Sequence, residues 1–145
     1  QLRGEHLVDI EVLDARIVQG DADLLRREVL GRPLVDVGRR GKHLLLLLTE
    51  GKGIALHLRM TGALLLSEPA HSPRVRAILR FSNGAQVFFN DMRRLGTIAF
   101  VEDVDAYCRR LGPEPLSDEF TAESLARRLA GRSRSVAGGK TLGCP

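Results

Sequence analysis

Between residues 34 and 101 the chain is a succession of strand-sized apolar runs broken by short turns, and this pattern constrains its fold more than any other feature. The runs fall at residues 34–37, 43–49, 53–58, 63–66, 75–81, 85–89 and 97–101. Glu50-Gly51-Lys52-Gly53 and Ser82-Asn83-Gly84 read as hairpin loops. The second carries Asn-Gly, which takes the positive φ that a turn matched to strand twist requires. Links this short carry no crossover helix, so the strands are expected to pair mostly antiparallel, in a sandwich or open barrel of two sheets. Leu44 to Leu48 is an unbroken leucine run, suited to a central strand covered on both faces.

Both flanks change character. Val8, Ile10 and Val12 alternate with Asp9 and Glu11, the period of a half-buried strand. Asp21 then caps a short helix whose Leu24, Leu25, Val29 and Leu30 fall at helical spacing, ended by Gly31 and Pro33. Beyond Val101, residues 104–111 and 121–129 read as two further short helices, the second with capping chemistry at Thr121 and at Glu123 to Ser124. The expected architecture is therefore an antiparallel two-sheet β-sandwich with flanking helices. Residues 1–131 make one domain, and the small, Gly-rich stretch 132–145 is a disordered or truncated tail. A chain that opens on Gln1 reads as a processed product or a piece of a longer protein.

Composition narrows the function classes. With 43% hydrophobic residues among 145, the chain has enough apolar mass for one core. No apolar run approaches the roughly 18–20 residues of a membrane-spanning helix, so a soluble chain is expected. The net charge of +4 favours a polyanionic partner, and nucleic acid leads. Aromatic residues are only 4% with no Trp, which argues against a stacking platform for single strands. Cys108 and Cys144, the only cysteines, supply neither a disulfide framework nor a zinc site, and fit a reducing, cytoplasmic setting. His6, His43, His57 and His71 share no metal-ligand spacing. Gly139-Lys140-Thr141 resembles the end of a phosphate-binding loop, but Arg134 stands where that motif needs its first Gly.

Basic residues punctuate the turns at strand ends. Arg39-Arg40-Gly41-Lys42 precedes the leucine strand, His57-Leu58-Arg59-Met60-Thr61-Gly62 closes the next, and Asn90-Asp91-Met92-Arg93-Arg94-Leu95-Gly96 joins the last two. Each loop pairs cations with Gly or an apolar tip. A protein that neutralises duplex phosphates while pushing a wedge into the base stack needs that combination.

These segments resemble the bacterial formamidopyrimidine-DNA glycosylases, which share a fold with the endonuclease VIII enzymes. RRGKHLLLLL (39–48), HLRMTG (57–62), NDMRRLG (90–96) and LGPEPLSDEF (111–120) carry the match in order. The resemblance implies base-excision repair: an oxidised purine, 8-oxoguanine or a formamidopyrimidine, is flipped out of duplex DNA, its glycosidic bond is cut, and the strand is cleaved by AP lyase elimination. By resemblance, Lys42 contacts phosphate and donates a proton in elimination, and Arg93 inserts toward the orphaned base. Met60 and Leu95 fill the vacated space, while Arg74 and His57 contact DNA. The implied partner is duplex DNA bearing oxidised purines or abasic sites, bound by a bacterial, nucleoid-associated monomer.

The sequence departs from the family at named positions. Leu95 stands where the family has Phe, a smaller wedge, and Met92 replaces a Pro, which loosens the loop presenting Arg93. Arg74 and Arg76 replace a His pair, with His71 upstream as a substitute if the loop shifts. The family's N-terminal Pro nucleophile and Glu general acid have no counterpart here, and neither does its C-terminal DNA-binding domain with a four-cysteine structural zinc. The expectation is therefore a fragment with little activity alone, with no cofactor or metal in this chain. A non-catalytic damaged-DNA-binding remnant and a β-rich interaction module are the alternatives.

Overall fold

The computed structural model describes residues 1–69 and 72–130. The expectations placed on His71, on the 139–141 segment, on Cys144 and on the tail from residue 132 lie outside the described residues.

Nine strands and three α-helices follow in order among the described residues: β1 (Leu7–Val12), β2 (Val18–Gln19), α1 (Ala22–Val29), β3 (Leu34–Arg40), β4 (His43–Leu48), β5 (Gly53–His57), β6 (Gly62–Leu65), β7 (Val75–Phe81), β8 (Gln86–Asp91), β9 (Thr97–Val101), α2 (Val104–Leu111) and α3 (Ala122–Leu129). They build two sheets, one ordered β1-β7-β8-β6 and the other β2-β9-β5-β4-β3. Pairing is antiparallel except between β2 and β9. The two-sheet arrangement expected from the short links is the one observed.

The core lies between the sheets. Ile10, Leu79 and Phe89 come from one sheet, Leu46, Leu56 and Ile98 from the other, and α1 adds Leu25 and Val29. Each such side chain contributes about 1.5–3 kcal/mol relative to an exposed one. Leu45 points the other way and packs with Ala55, Val101 and Val104 beneath α2. The leucine run thus serves two cores, one per face, which is why it shows no alternation.

Helix starts follow their caps. The Asp21 side chain accepts from the backbone N–H groups of Asp23 and Leu24 at 2.8 and 3.3 Å. Asp103 accepts from Ala106, and Thr121 with Ser124 forms a reciprocal capping box.

Two details differ from expectation. β3 runs on to Arg40 rather than stopping at Val37, because Gly38, Arg39 and Arg40 pair with Leu45, Leu44 and His43. The partner strand, not the local apolar pattern, sets that boundary. β2 has only two residues and is added by its parallel register with Ile98 and Ala99.

Candidate nucleic-acid interface

Strand register brings the basic loops together. His43, which opens β4, pairs with His57, which closes β5, and His57 pairs with Thr97, which opens β9. In the other sheet Gly62 opens β6 opposite Asp91 at the close of β8, and Val75 opens β7 opposite Asn90. The short links 58–61 and 92–96 join the two sheets at this same end. Lys42, Met60, Arg74, Arg93 and Leu95 therefore all emerge from one end of the sandwich.

The apolar members of the group lie in solvent. Met60 is 77% exposed and Leu95 49% exposed. Lys42, Arg74 and Arg93 are exposed as well. The Arg93 guanidinium Nη1 lies 3.9 Å from Met60 Sδ, so the tips of two separate loops touch. Lys42, Arg74 and Arg93 have no carboxylate partner among the described residues.

The loops are held by a buried carboxylate that the sequence did not single out. Asp91 is fully buried. Its Oδ2 accepts the Gly96 N–H at 2.7 Å, and its Oδ1 accepts the Arg93 N–H at 3.2 Å and the Thr61 hydroxyl. Burial pushes this carboxyl up, but hydrogen bonds from Thr61, Gly96, Arg93 and Leu95 outweigh it and hold the group below the usual carboxylate range. One anion thus ties the Met60 loop to the Arg93 loop. Gly96 permits the approach, since a Cβ there would lie 2.6 Å from Phe89 and 3.0 Å from Asp91 Oδ2.

Both loops store backbone strain. Arg59 and Arg94 take left-handed conformations with φ of 53° and 57°, each costing on the order of 1 kcal/mol for a non-glycine residue. Arg59 is braced by its N–H, which donates to His57 Nδ1 at 3.1 Å. Arg94 leans on Asp14, 3.6 Å away.

The Lys42 turn is braced from another direction. The Gly41 N–H donates to Glu114 Oε2 at 2.7 Å, and the Arg40 guanidinium donates to the Gly112 carbonyl. The segment following α2 therefore fixes the hairpin that presents Lys42. A cavity of about 320 Å³ opens between them, lined by residues of 39–43 and 111–116.

His57 departs from its expected role as a DNA contact. The ring is 4% exposed, meets His43 edge to face at 4.4 Å between centroids, and faces away from solvent. With Nδ1 accepting from Arg59, the proton sits on Nε2, which is buried without a partner among the described residues. Burial, then His43, Arg59 and Lys42 as neighbouring positive charges, lower its pKa to about 4. His57 supports the loop from below as a neutral ring. β5 is buried along its whole length, so no alternation could have told an inward His57 from an outward one.

Among the described residues no group of three His, Cys, Asp or Glu side chains is placed to hold a metal. Two cysteines in the whole sequence do not fit a four-cysteine zinc site. No described helix is long and apolar enough to cross a membrane.

Residues 1–98 match the model of the formamidopyrimidine-DNA glycosylase N-terminal domain. The chain belongs to this family. The formamidopyrimidine-DNA glycosylase of Chloroflexus aggregans is 41% identical over 112 residues, covering 74% of this chain and 41% of that protein. The enzyme of the same name from Roseiflexus sp. is 40% identical over 144 residues, covering 94% of this chain and 52% of that one. Among solved structures, MutM (Fpg) of Thermus thermophilus superposes with a TM-score of 0.72 at 32% identity, over 88% of this chain and 46% of that chain. Lactococcus lactis Fpg in complex with DNA containing FAPY-dG gives 0.73 at 27%, over 88% and 50%. The chain spans about half the length of the curated relatives it matches.

Proposed function

We propose that this chain is the duplex-engaging part of a bacterial base-excision DNA glycosylase that removes oxidised purines and cleaves the strand at the resulting abasic site, acting in the cytoplasm at the nucleoid. The convergence of Lys42, Met60, Arg74, Arg93 and Leu95 at one end of the sandwich carries this reading. A base inside a duplex must leave the stack before its glycosidic bond can be reached, at a cost of a few kcal/mol that inserted side chains offset. Met60 and Leu95, both apolar and exposed, are the groups suited to fill the gap. Arg93, in contact with Met60, offers planar donors to the base left unpaired. Lys42 and Arg74 flank this pair as cations for backbone phosphates, and Lys42 is the proton donor assigned to elimination.

The sequence contains neither the Pro nor the Glu that the family uses as nucleophile and general acid. Imine formation at the sugar needs a neutral amine held within reach of the anomeric carbon. The chain as given is therefore expected to bind damaged duplex without efficient turnover. Two measurements test this. Affinity for an abasic-site duplex should exceed that for the undamaged duplex, and Met60→Ala with Leu95→Ala should cut the ratio about tenfold, or ~1.4 kcal/mol. Equal affinity of the unmodified chain for the two duplexes would overturn the reading. Borohydride trapping on the abasic duplex should yield little adduct. A strong adduct abolished by Lys42→Ala would show instead that Lys42 is the nucleophile.

A further inference from the structure

Away from the loop tips, a second cationic site lies where α2, α3 and the root of the β3–β4 hairpin meet. A cavity of about 500 Å³ there is lined by Arg40, Arg109, Arg127 and Arg128, with Glu119 and Ser124. Four arginines and one glutamate share its lining. Arg40 donates to the Gly112 carbonyl, and Arg128 Nη1 approaches the same glycine, 2.9 Å from where a Cβ would stand. Gly112 has a φ of +82° and no side chain, which leaves room for both. Arg109, Arg127 and Arg128 are exposed and form no ion pair among the described residues.

Complementing the helix dipoles explains why each of the helical arginines sits in a last turn. It does not explain why arginines from α2, α3 and β3 crowd a single hollow. Like charges held this close with a single acid among them are stabilised when an anion with several acceptor oxygens enters, and a phosphate offers oxygens that guanidinium forks match. The Ser124 hydroxyl is already engaged in the capping box. Recognition therefore falls to the arginines. Arg40 and Lys42 share the β3–β4 hairpin, so the hollow continues the cationic track that begins at the loop tips.

We infer that this hollow is a second phosphate-binding site, which takes the phosphodiester backbone of a bound duplex away from the lesion and contributes affinity without damage selectivity. The assignment of DNA as the source of the phosphate rests on the function proposed above. The test uses the full 145-residue chain, with undamaged and abasic-site duplexes titrated across salt concentrations and inorganic phosphate as a separate probe. Arg127→Ala with Arg128→Ala should weaken both duplexes by about tenfold at low salt and reduce the magnitude of the salt slope by ~1–2. The ratio between duplexes should not change. Arg127→Lys with Arg128→Lys should recover most of the slope, which a loss of folding would not allow. An unchanged slope in the alanine variant overturns the site. Saturable perturbation of the arginine Nε resonances by inorganic phosphate, with none by either duplex, overturns the DNA assignment and leaves a free-phosphate site. Equal affinity of the unmodified chain for the two duplexes would sink the damage reading, while the salt slope would still report on the arginines.

Discussion

The two ends of the sandwich are built from the same strands but treat charge in opposite ways. At the end opposite the basic loops, Lys52 lies 2.9 Å from Glu28 and 3.5 Å from Glu102, and Arg32 lies 2.8 Å from Glu50 and 3.8 Å from Glu28. Charges there close on one another. At the loop end, Lys42, Arg74 and Arg93 stay without acids among the described residues, and Met60 and Leu95 stand in solvent. Left-handed backbone does not separate the ends, since Glu50 at the first takes a φ of 64° as Arg59 and Arg94 take 53° and 57° at the second. A domain selected for stability alone would build both ends like the first. The contrast in charge sets the loop end apart without reference to any relative, because unneutralised cations beside exposed apolar tips are compensated when an anionic partner covers them.

The largest expected effect comes from removing the anion that organises the working end. Asp91→Ala would leave the Gly96 and Arg93 N–H groups without their acceptor in a buried site, at a cost of about 3 kcal/mol or more. Asp91→Asn would not restore the site, since an amide NH2 would face either the Gly96 N–H or the Arg93 N–H, donor against donor. Chemical denaturation should show both losses. In variants that remain folded, the preference for the abasic duplex should fall with them, because Met60 and Arg93 would lose their shared support. Because the Asp91 pKa is depressed on folding, its contribution is present above the unfolded carboxylate pKa and is lost as pH falls through the folded value. A destabilised Asp91→Ala variant that kept its full duplex preference would show that the two loops position themselves independently.

What the sequence revealed follows from where physical information is local. Strand runs and Asn-Gly turns are local signals, and the caps at Asp21 and Thr121 are local too, so the sandwich and its helices were legible. The roles of Asp91 and Glu114 are not local. Asp91 looks like a solvated turn acid beside two arginines until the β6–β8 register and the Gly96 N–H enclose it. Glu114 reaches Gly41 across 73 positions of sequence, and no periodicity in either segment announces that contact. The basic turns were legible as a pattern, whereas Met60, Arg93 and Leu95 were singled out within them by the family resemblance, and the structure finds all three exposed. His57, one strand position away from such a turn, was misplaced because β5 is buried on both faces.

A smaller effect separates the buried histidines from the loops they carry. His57 has a folded pKa of about 4 against an ordinary 6.5, so between these values the unfolded chain binds more protons than the folded one. Its contribution to stability is therefore complete above pH 6.5 and declines as pH falls toward 4, by on the order of 3 kcal/mol. His43, also lowered by burial, adds to the same slope. His57→Phe should flatten the acid limb of a stability–pH profile, while Glu28 and Asp36 variants should leave that limb in place. If the profile of His57→Phe matched that of the unmodified chain, the buried neutral ring would not be the source of acid sensitivity.

The smallest effect is expected at the far end, where the paired charges make the sharpest control. Lys52 is 16% exposed at its side chain, bridges Glu28 and Glu102, and has its pKa raised first by the hydrogen bond to Glu28. Lys52→Met keeps most of the unbranched stem near Phe100, and removes the ammonium with its hydrogen bond to Glu28. Partly solvated pairs contribute little, so the melting temperature should fall by no more than ~2–4 °C. The contribution that is lost is one present at neutral pH and lost only as pH rises through the elevated lysine value. Net charge drops by one unit, as it does in Arg93→Ala, so the two variants test whether charge or its placement matters. Duplex affinity should be unchanged in Lys52→Met and should fall in Arg93→Ala. Equal losses in the two would mean that the protein meets DNA through its overall charge, and that the difference between its ends is a matter of folding alone.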